Sequence, residues 1–157
     1  MIDVALYSSE ICRISASGLS GVTAIVFGVL RAIFSIMTDL QVLIGVFFNM
    51  NTLTDHLFRT RPRKLLLICA GTGEDFTLED ALEGGALLAH LPDDDLSDSA
   101  ILVRNIYERN DLEEWLTSNG RRPQKMGRGA GVHRCVRLSI FNVVGQLREK
   151  AIVPLEP

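Results

Sequence analysis

Apolar residues in this chain recur with two periods, and the period changes several times along the sequence. Leu65 to Ala70 is a continuous apolar run too short for a helix, which predicts a strand covered on both faces, as in a parallel sheet. Gly71 and Gly73 end that run. Beyond them Leu78, Ala81, Leu82, Gly85, Ala86 and Ala89 recur at helical spacing, so a helix is predicted to start near Leu78. Thr77 followed three residues later by Asp80 has the signature of a capping box. Gly84 and Gly85 inside this helix each cost about 1 kcal/mol relative to Ala, which points to close packing on the sheet.

The same reading predicts strands at Ile2 to Leu6, Val22 to Phe27 and Val42 to Phe47. Between the second and third, Leu30, Ile33, Phe34, Met37 and Leu40 form a helical stripe, and Thr52 opens a short helix through Leu57. Asp98 to Tyr107 is a predicted helix with Ile101, Leu102 and Ile106 inward. Asp111 and Glu114 cap another, in which Leu112, Trp115 and Leu116 are apolar. Val132 to Leu138 is predicted helical. Ile140 to Leu147 and Ala151 to Val153, joined by Arg-Glu-Lys, are predicted to close the chain as a hairpin. Alternating strands and helices give one α/β domain over residues 1–157, a mostly parallel sheet flanked by helices with a C-terminal β-hairpin.

The glycine turn is the candidate site. It lies between the carboxyl end of a strand and the first turn of a helix, where ligands sit in open α/β sheets and unpaired amides suit anions. Glu79 and Asp80 fall in that first turn. They either complement the helix dipole or hold Mg²⁺ beside a phosphate bound by the turn, and their spacing fits both readings.

Charge adds an asymmetry. The net charge of the 157 residues is −3, which favours neither nucleic acid nor an anionic membrane. Thirteen acidic residues lie between Glu74 and Glu114 against Arg104 and Arg109, whereas eight Lys or Arg lie between Asn119 and Lys150 against Glu149 alone. A cation on one wall of a site and an anionic substrate on the other would suit this distribution, as would two solvated faces. Arg59 to Lys64 is expected to be a solvated connector, and Asp93, Asp94, Asp95 and Asp98 a solvated loop without the glycine and terminal Glu of an EF-hand. The loop Arg121 to Gly131 offers Arg121 and Arg122 for anion capture. His133 has no partner at ligand spacing.

Cys12, Cys69 and Cys135 form neither a disulfide framework nor a zinc motif, which points to a reducing cytoplasm. The opening MIDVAL has no basic n-region, and Arg31 and Asp39 interrupt the hydrophobic stretch from Leu19 to Met50, so no leader and no membrane span are expected.

Taken together these segments resemble the 2-phosphosulfolactate phosphatase family. The central block is the specific part: Ala70-Gly71-Thr72, Phe76-Thr77-Leu78-Glu79-Asp80 and Gly85-Ala86-Leu87 meet the family's pattern, and further matches fall in order along nearly the whole chain. The resemblance implies an α/β fold and a Mg²⁺-dependent hydrolase converting 2-phospho-3-sulfolactate to 3-sulfolactate, a step of coenzyme M synthesis. Under that reading Arg31, Ser35, Asp80 and Arg121 are catalytic, Gly71, Thr72, Gly73 and Arg122 bind a small anionic phosphate ester, and Glu79 and Asp80 hold the Mg²⁺. Departures from the family fall on polar groups. A segment of several tens of residues is missing after Leu40, Gly28 stands where the family has Asp, and Ile33 and Phe34 replace two hydroxyl residues while Ser35 keeps one. Asn119 replaces a His, and Gly129, Gly131 and Ser139 stand where acidic residues are usual. The alternative is therefore a catalytically inactive remnant that binds anions or forms a homodimer.

Overall fold

The computed structural model of the chain describes residues 2–5, 21–27, 40–71, 77–92, 95–112, 114, 137–149 and 151–156. Six strands form one sheet: β1 (Ile2–Ala5), β2 (Val22–Phe27), β3 (Gln41–Ile44), β4 (Lys64–Cys69), β5 (Gly145–Arg148) and β6 (Ala151–Pro154). Their spatial order is β1-β4-β2-β3-β5-β6. The first four strands in that order are parallel, with Leu67 of β4 level with Val4 of β1 and Ile25 of β2. β5 and β6 add antiparallel to the edge at β3. The architecture is the α/β one expected, hairpin included.

Why β2 and β4 lack any polar alternation is plain from their burial. Successive side chains point to opposite faces, and both faces are covered. Ile25, Phe27, Leu43, Leu65, Leu67 and Cys69 build one core with helices α1 (Met50–Thr60), α2 (Leu78–Ala89) and α3 (Asp98–Arg109). Val22, Ala24, Val26, Val42, Leu66, Ile68 and Ala70 build the second core on the opposite face. Residues 28–40 join neighbouring parallel strands, a connection close to the dozen or so residues that such a pair requires.

Several boundaries differ from expectation. β3 ends at Ile44, not Phe47, because Asn49 turns the chain: its Oδ1 accepts from the Val46 amide at 3.1 Å and its Nδ2 donates to the Ile44 carbonyl at 3.0 Å, leading into a 3₁₀ turn over Phe47–Asn49. Helix α1 then runs three residues past the expected Leu57. It stops at Arg61, which takes the left-handed conformation (φ 45°) and donates its N–H to the Leu57 carbonyl. The connector predicted from Arg59 thus shrinks to residues 61–63.

In α3 the expected inward face is rotated. Ala100 and Val103 are buried, whereas Ile101 and Leu102 are 41% and 55% exposed. The cause lies on α2. A Cβ built on Gly85 would stand 2.6 Å from the Val103 carbonyl oxygen and 2.7 Å from the Tyr107 Cβ, so Gly85 lets α3 approach α2, not the sheet, and Val103 turns inward at the contact. Gly84 is the one beside the sheet, near Cys69 and Phe27. Ile106 packs on the core as expected, and Ser97 caps α3 by accepting from the Ala100 amide.

Toward the end of the chain, β5 starts at Gly145, not Ile140. Residues 139–141 instead bind the 3₁₀ turn and α1: the Ser139 and Phe141 amides donate to the Phe47 and Phe48 carbonyls, both at 2.8 Å, and the Phe48 and Phe141 rings meet edge to face. Arg137 and Leu138 are not helical. The Glu114 amide donates to Asp111 Oδ1 at 2.8 Å, the cap expected there. The helical stripe between Leu30 and Leu40, Trp115 and the rest of the Val132 helix lie outside the described residues, apart from Leu40, which packs on the second core.

The two sheet edges are finished differently. Ile2 of β1 donates to the Asp95 carbonyl and accepts from the Ser97 amide, both at 2.9 Å, while Asp3 Oδ1 accepts from the Val4 amide. Among the described residues, β6 has no strand beyond it.

Candidate active site

At the carboxyl ends of β2, β3 and β4 the backbone stays zipped beyond the strands. The Ala70 amide donates to the Phe27 carbonyl at 2.8 Å and the Gly45 amide to the Val26 carbonyl at 3.0 Å. Gly71 follows with φ 67°, a conformation open to glycine, and turns the chain out of β4. Its amide donates to Asp80 Oδ2 at 2.7 Å, a short charge-assisted bond in a buried setting. The first turn of α2 is thereby tied to the end of the central strand.

That bond replaces the capping box expected of Thr77 and Asp80. Thr77 is the N-cap of α2 in extended conformation, but its side chain makes no capping hydrogen bond. Its Oγ1 is buried without a partner among the described residues. Asp80 faces the glycine turn, and the nearer requirement of a buried amide has taken the carboxylate.

Glu83 is the residue that sequence reasoning passed over. One helical turn beyond Glu79 and Asp80, it reaches across to the β3 side, where its Oε1 accepts from the Phe47 amide at 3.2 Å. Burial is the main cause that pushes its carboxyl up to about 8; Asp80 and then Glu79 raise it further, while the Phe47 hydrogen bond pulls it down. At neutral pH it is mostly uncharged, so it adds little repulsion to the acidic pair beside it. The signal was present in the spacing, since positions 79, 80 and 83 share one helix face.

Cys69 closes the floor. Its Sγ lies 3.4 Å from the Asp80 carbonyl, to which it donates. Burial, with Asp80 and Glu83 adding to it, pushes the thiol up to about 12. A nucleophilic cysteine needs the opposite shift, so Cys69 packs as a small hydrophobe, as expected, and takes no part as a thiolate.

Of the residues singled out from the sequence, Gly71 and Asp80 are joined here by a hydrogen bond, and Glu79 lies next to Asp80 in the first turn of α2. Arg31, Ser35, Thr72, Gly73, Arg121 and Arg122 lie outside the described residues, as do Gly28 and Asn119. Among the described residues, no group of three or more His, Cys, Asp or Glu is placed to hold a metal ion, and no helix is long and apolar enough to cross a membrane.

Comparison with known proteins gives this geometry a context. The sequence profile of the 2-phosphosulpholactate phosphatase family matches residues 28–150. A protein of Thermotoga petrophila named probable 2-phosphosulfolactate phosphatase is 30% identical over 111 residues, covering 68% of this chain and 48% of the relative. Its namesake in Thermotoga maritima is 29% identical over the same length. One from Caldanaerobacter subterraneus subsp. tengcongensis is 24% identical over 126 residues, or 75% of this chain and 52% of the relative. The chain thus spans about half the length of the relatives it matches. With a profile match over most of its length and the expected α/β fold, the chain belongs to the 2-phosphosulfolactate phosphatase family.

Proposed function

We propose that the chain is a Mg²⁺-dependent phosphatase acting on a small phosphate ester that carries further anionic groups, 2-phospho-3-sulfolactate being the substrate that the relatives' names supply. One observation carries the reading: Asp80 fastens the first turn of α2 to the glycine turn at the carboxyl end of β4, where an open α/β sheet presents its ligands. Phosphoryl transfer depends mainly on positioning and electrostatic stabilisation, and a fixed turn beside a helix N-terminus supplies both.

The donor set suits Mg²⁺ by type, since the ion uses one or two carboxylates and takes its other oxygens from water and substrate phosphate. Glu79 and Asp80 would hold it, and once bound it would neutralise charge on the phosphoryl oxygens. Asp80 also fixes the turn through Gly71. In this reading Thr72 and Gly73 receive the phosphate, because the Gly71 amide expected to do so is already given to Asp80, and Arg31, Arg121 and Arg122 clamp the anionic groups as bidentate donors. Ser35 would serve as a hydroxyl donor. Neutral Glu83 keeps a third negative charge away from the incoming anion. The cytoplasm is the compartment we propose, and coenzyme M synthesis the pathway in which the relatives' reaction would belong.

The test is phosphate release from 2-phosphosulfolactate by the purified chain, with Mg²⁺ and then with the metal chelated. Release that vanishes on chelation is the expected result. A second reading rests on Gly28, which brings no carboxylate: an anion-binding protein without turnover. It gives no release, while inorganic phosphate still raises the melting temperature.

A further inference from the structure

We infer that β6 is a self-pairing edge, through which two copies of this chain join antiparallel about a two-fold axis at Ile152. The phase of the hairpin carries the argument. Gln146 pairs with Val153, Leu147 with Ile152 and Arg148 with Ala151, and the Leu155 amide donates to the Val144 carbonyl at 2.8 Å. Hydrogen-bonded and open pairs alternate along an antiparallel ladder, so residues 151, 153 and 155 turn their backbone groups toward β5. Ile152 and Pro154 turn theirs outward. Pro154 has no N–H to offer there, and so suits an edge without losing a bond.

Ile152 is left with an outward N–H and an outward carbonyl in one residue. Two copies related by a two-fold axis through Ile152 place each N–H on the other's carbonyl, closing both bonds at once. A parallel or heterologous partner would have to adapt to the gap at Pro154; a second copy meets it symmetrically. The ends agree in charge. Glu156, exposed just past β6, comes beside the hairpin turn of the second copy, whose sequence Arg148-Glu149-Lys150 is net positive. Ile152 is 52% exposed, and Ile140, Phe141 and Val143 on the chain entering β5 are about as open.

The opposite edge shows what protection looks like in this fold. There the strand is covered by residues 95–97 and by the Asp3 side chain. β6 carries no charged residue within the strand and has no such cover among the described residues, the condition under which an edge pairs with another chain.

Sedimentation of the full chain over a dilution series tests this without reference to turnover. A concentration-dependent monomer–dimer equilibrium is expected. Ile152→Pro deletes the outward donor but no bond to β5, and should weaken the dimer about tenfold or more. Because that variant could fail to fold, Ile152→Cys is the second test. Opposed residues in a hydrogen-bonded pair lie about 5.5 Å apart, so a short bismaleimide should join the two copies at position 152, above the level seen in the unmodified chain. A chain that stays monomeric throughout, a dimer indifferent to Ile152→Pro, or an Ile152→Cys variant that does not cross-link to its own second copy would each overturn the proposal.

Discussion

Glu83 couples the site to pH. Its carboxyl titrates near 8 when folded and near 4.5 otherwise, so between those values the folded state binds the extra proton. Stability from this group is therefore complete below about pH 4.5 and is lost as pH rises through 8, by up to about 1.4 kcal/mol per unit. Urea unfolding at a series of pH values should show it. Glu83→Gln keeps the acceptor for Phe47 and removes the titration, so the variant should gain on the parent chain steadily from pH 5 to 8 and no further above. Asp80 makes a different demand. Asp80→Ala strands the buried Gly71 amide, a loss of about 1 to 3 kcal/mol, whereas Asp80→Asn retains an acceptor and should lose stability less than it loses any Mg²⁺-dependent turnover. Both residues were visible in the sequence as carboxylates on one helix face, but only Asp80 was read as functional. What could not be read is direction: a side chain three residues into a helix can turn back to its own cap or across to a neighbouring strand, and tertiary geometry chose the latter.

Helices α2 and α3 meet at Gly85 while Gly84 lies beside the sheet, and the two glycines should respond in opposite senses. Gly84→Ala places a methyl at ordinary contact, 3.6 to 3.8 Å from Cys69, Phe27 and Val103, and should gain up to about 1 kcal/mol from helix propensity. Gly85→Ala drives one into the Val103 carbonyl and should lose about 1 to 3 kcal/mol, since backbone yields poorly. Melting of the two variants side by side decides it. Strands β2 and β4 were legible because continuous burial leaves a continuous apolar run. The inward face of α3 was not, because Ile101 and Leu102 fit a helical stripe as well as Ala100 and Val103 do, and only the close approach at Gly85 selects the smaller pair. β3 was overrun for a similar reason: nothing in Val46-Phe47 opposes a strand until Asn49 takes the backbone groups on either side.

For the molecule as a whole, the sheet runs uninterrupted from β1 to β6, with β2 bonded on both sides. Thermal unfolding should accordingly be cooperative, with circular dichroism and calorimetry reporting one transition and matching enthalpies. A broad melt with separated transitions would mean that the halves of the sheet do not support each other. The charge asymmetry was legible as a pattern and only partly as a place: Asp80 binds the glycine turn and Glu83 the Phe47 amide, while Arg121 and Arg122 lie outside the described residues.

The covered edge at β1 also sets an order in time. Ile2 pairs with Leu65 on one side and with Leu96 on the other, and Leu43 waits for Gln146. A chain emerging from the ribosome therefore holds β1 unfinished until residues 95–97 have been made, and β3 until Gln146 has followed. Such distant pairings fold slowly and leave apolar strands open in the meantime, so the interval before the β5–β6 hairpin docks on β3 is when these strands are most exposed to aggregation.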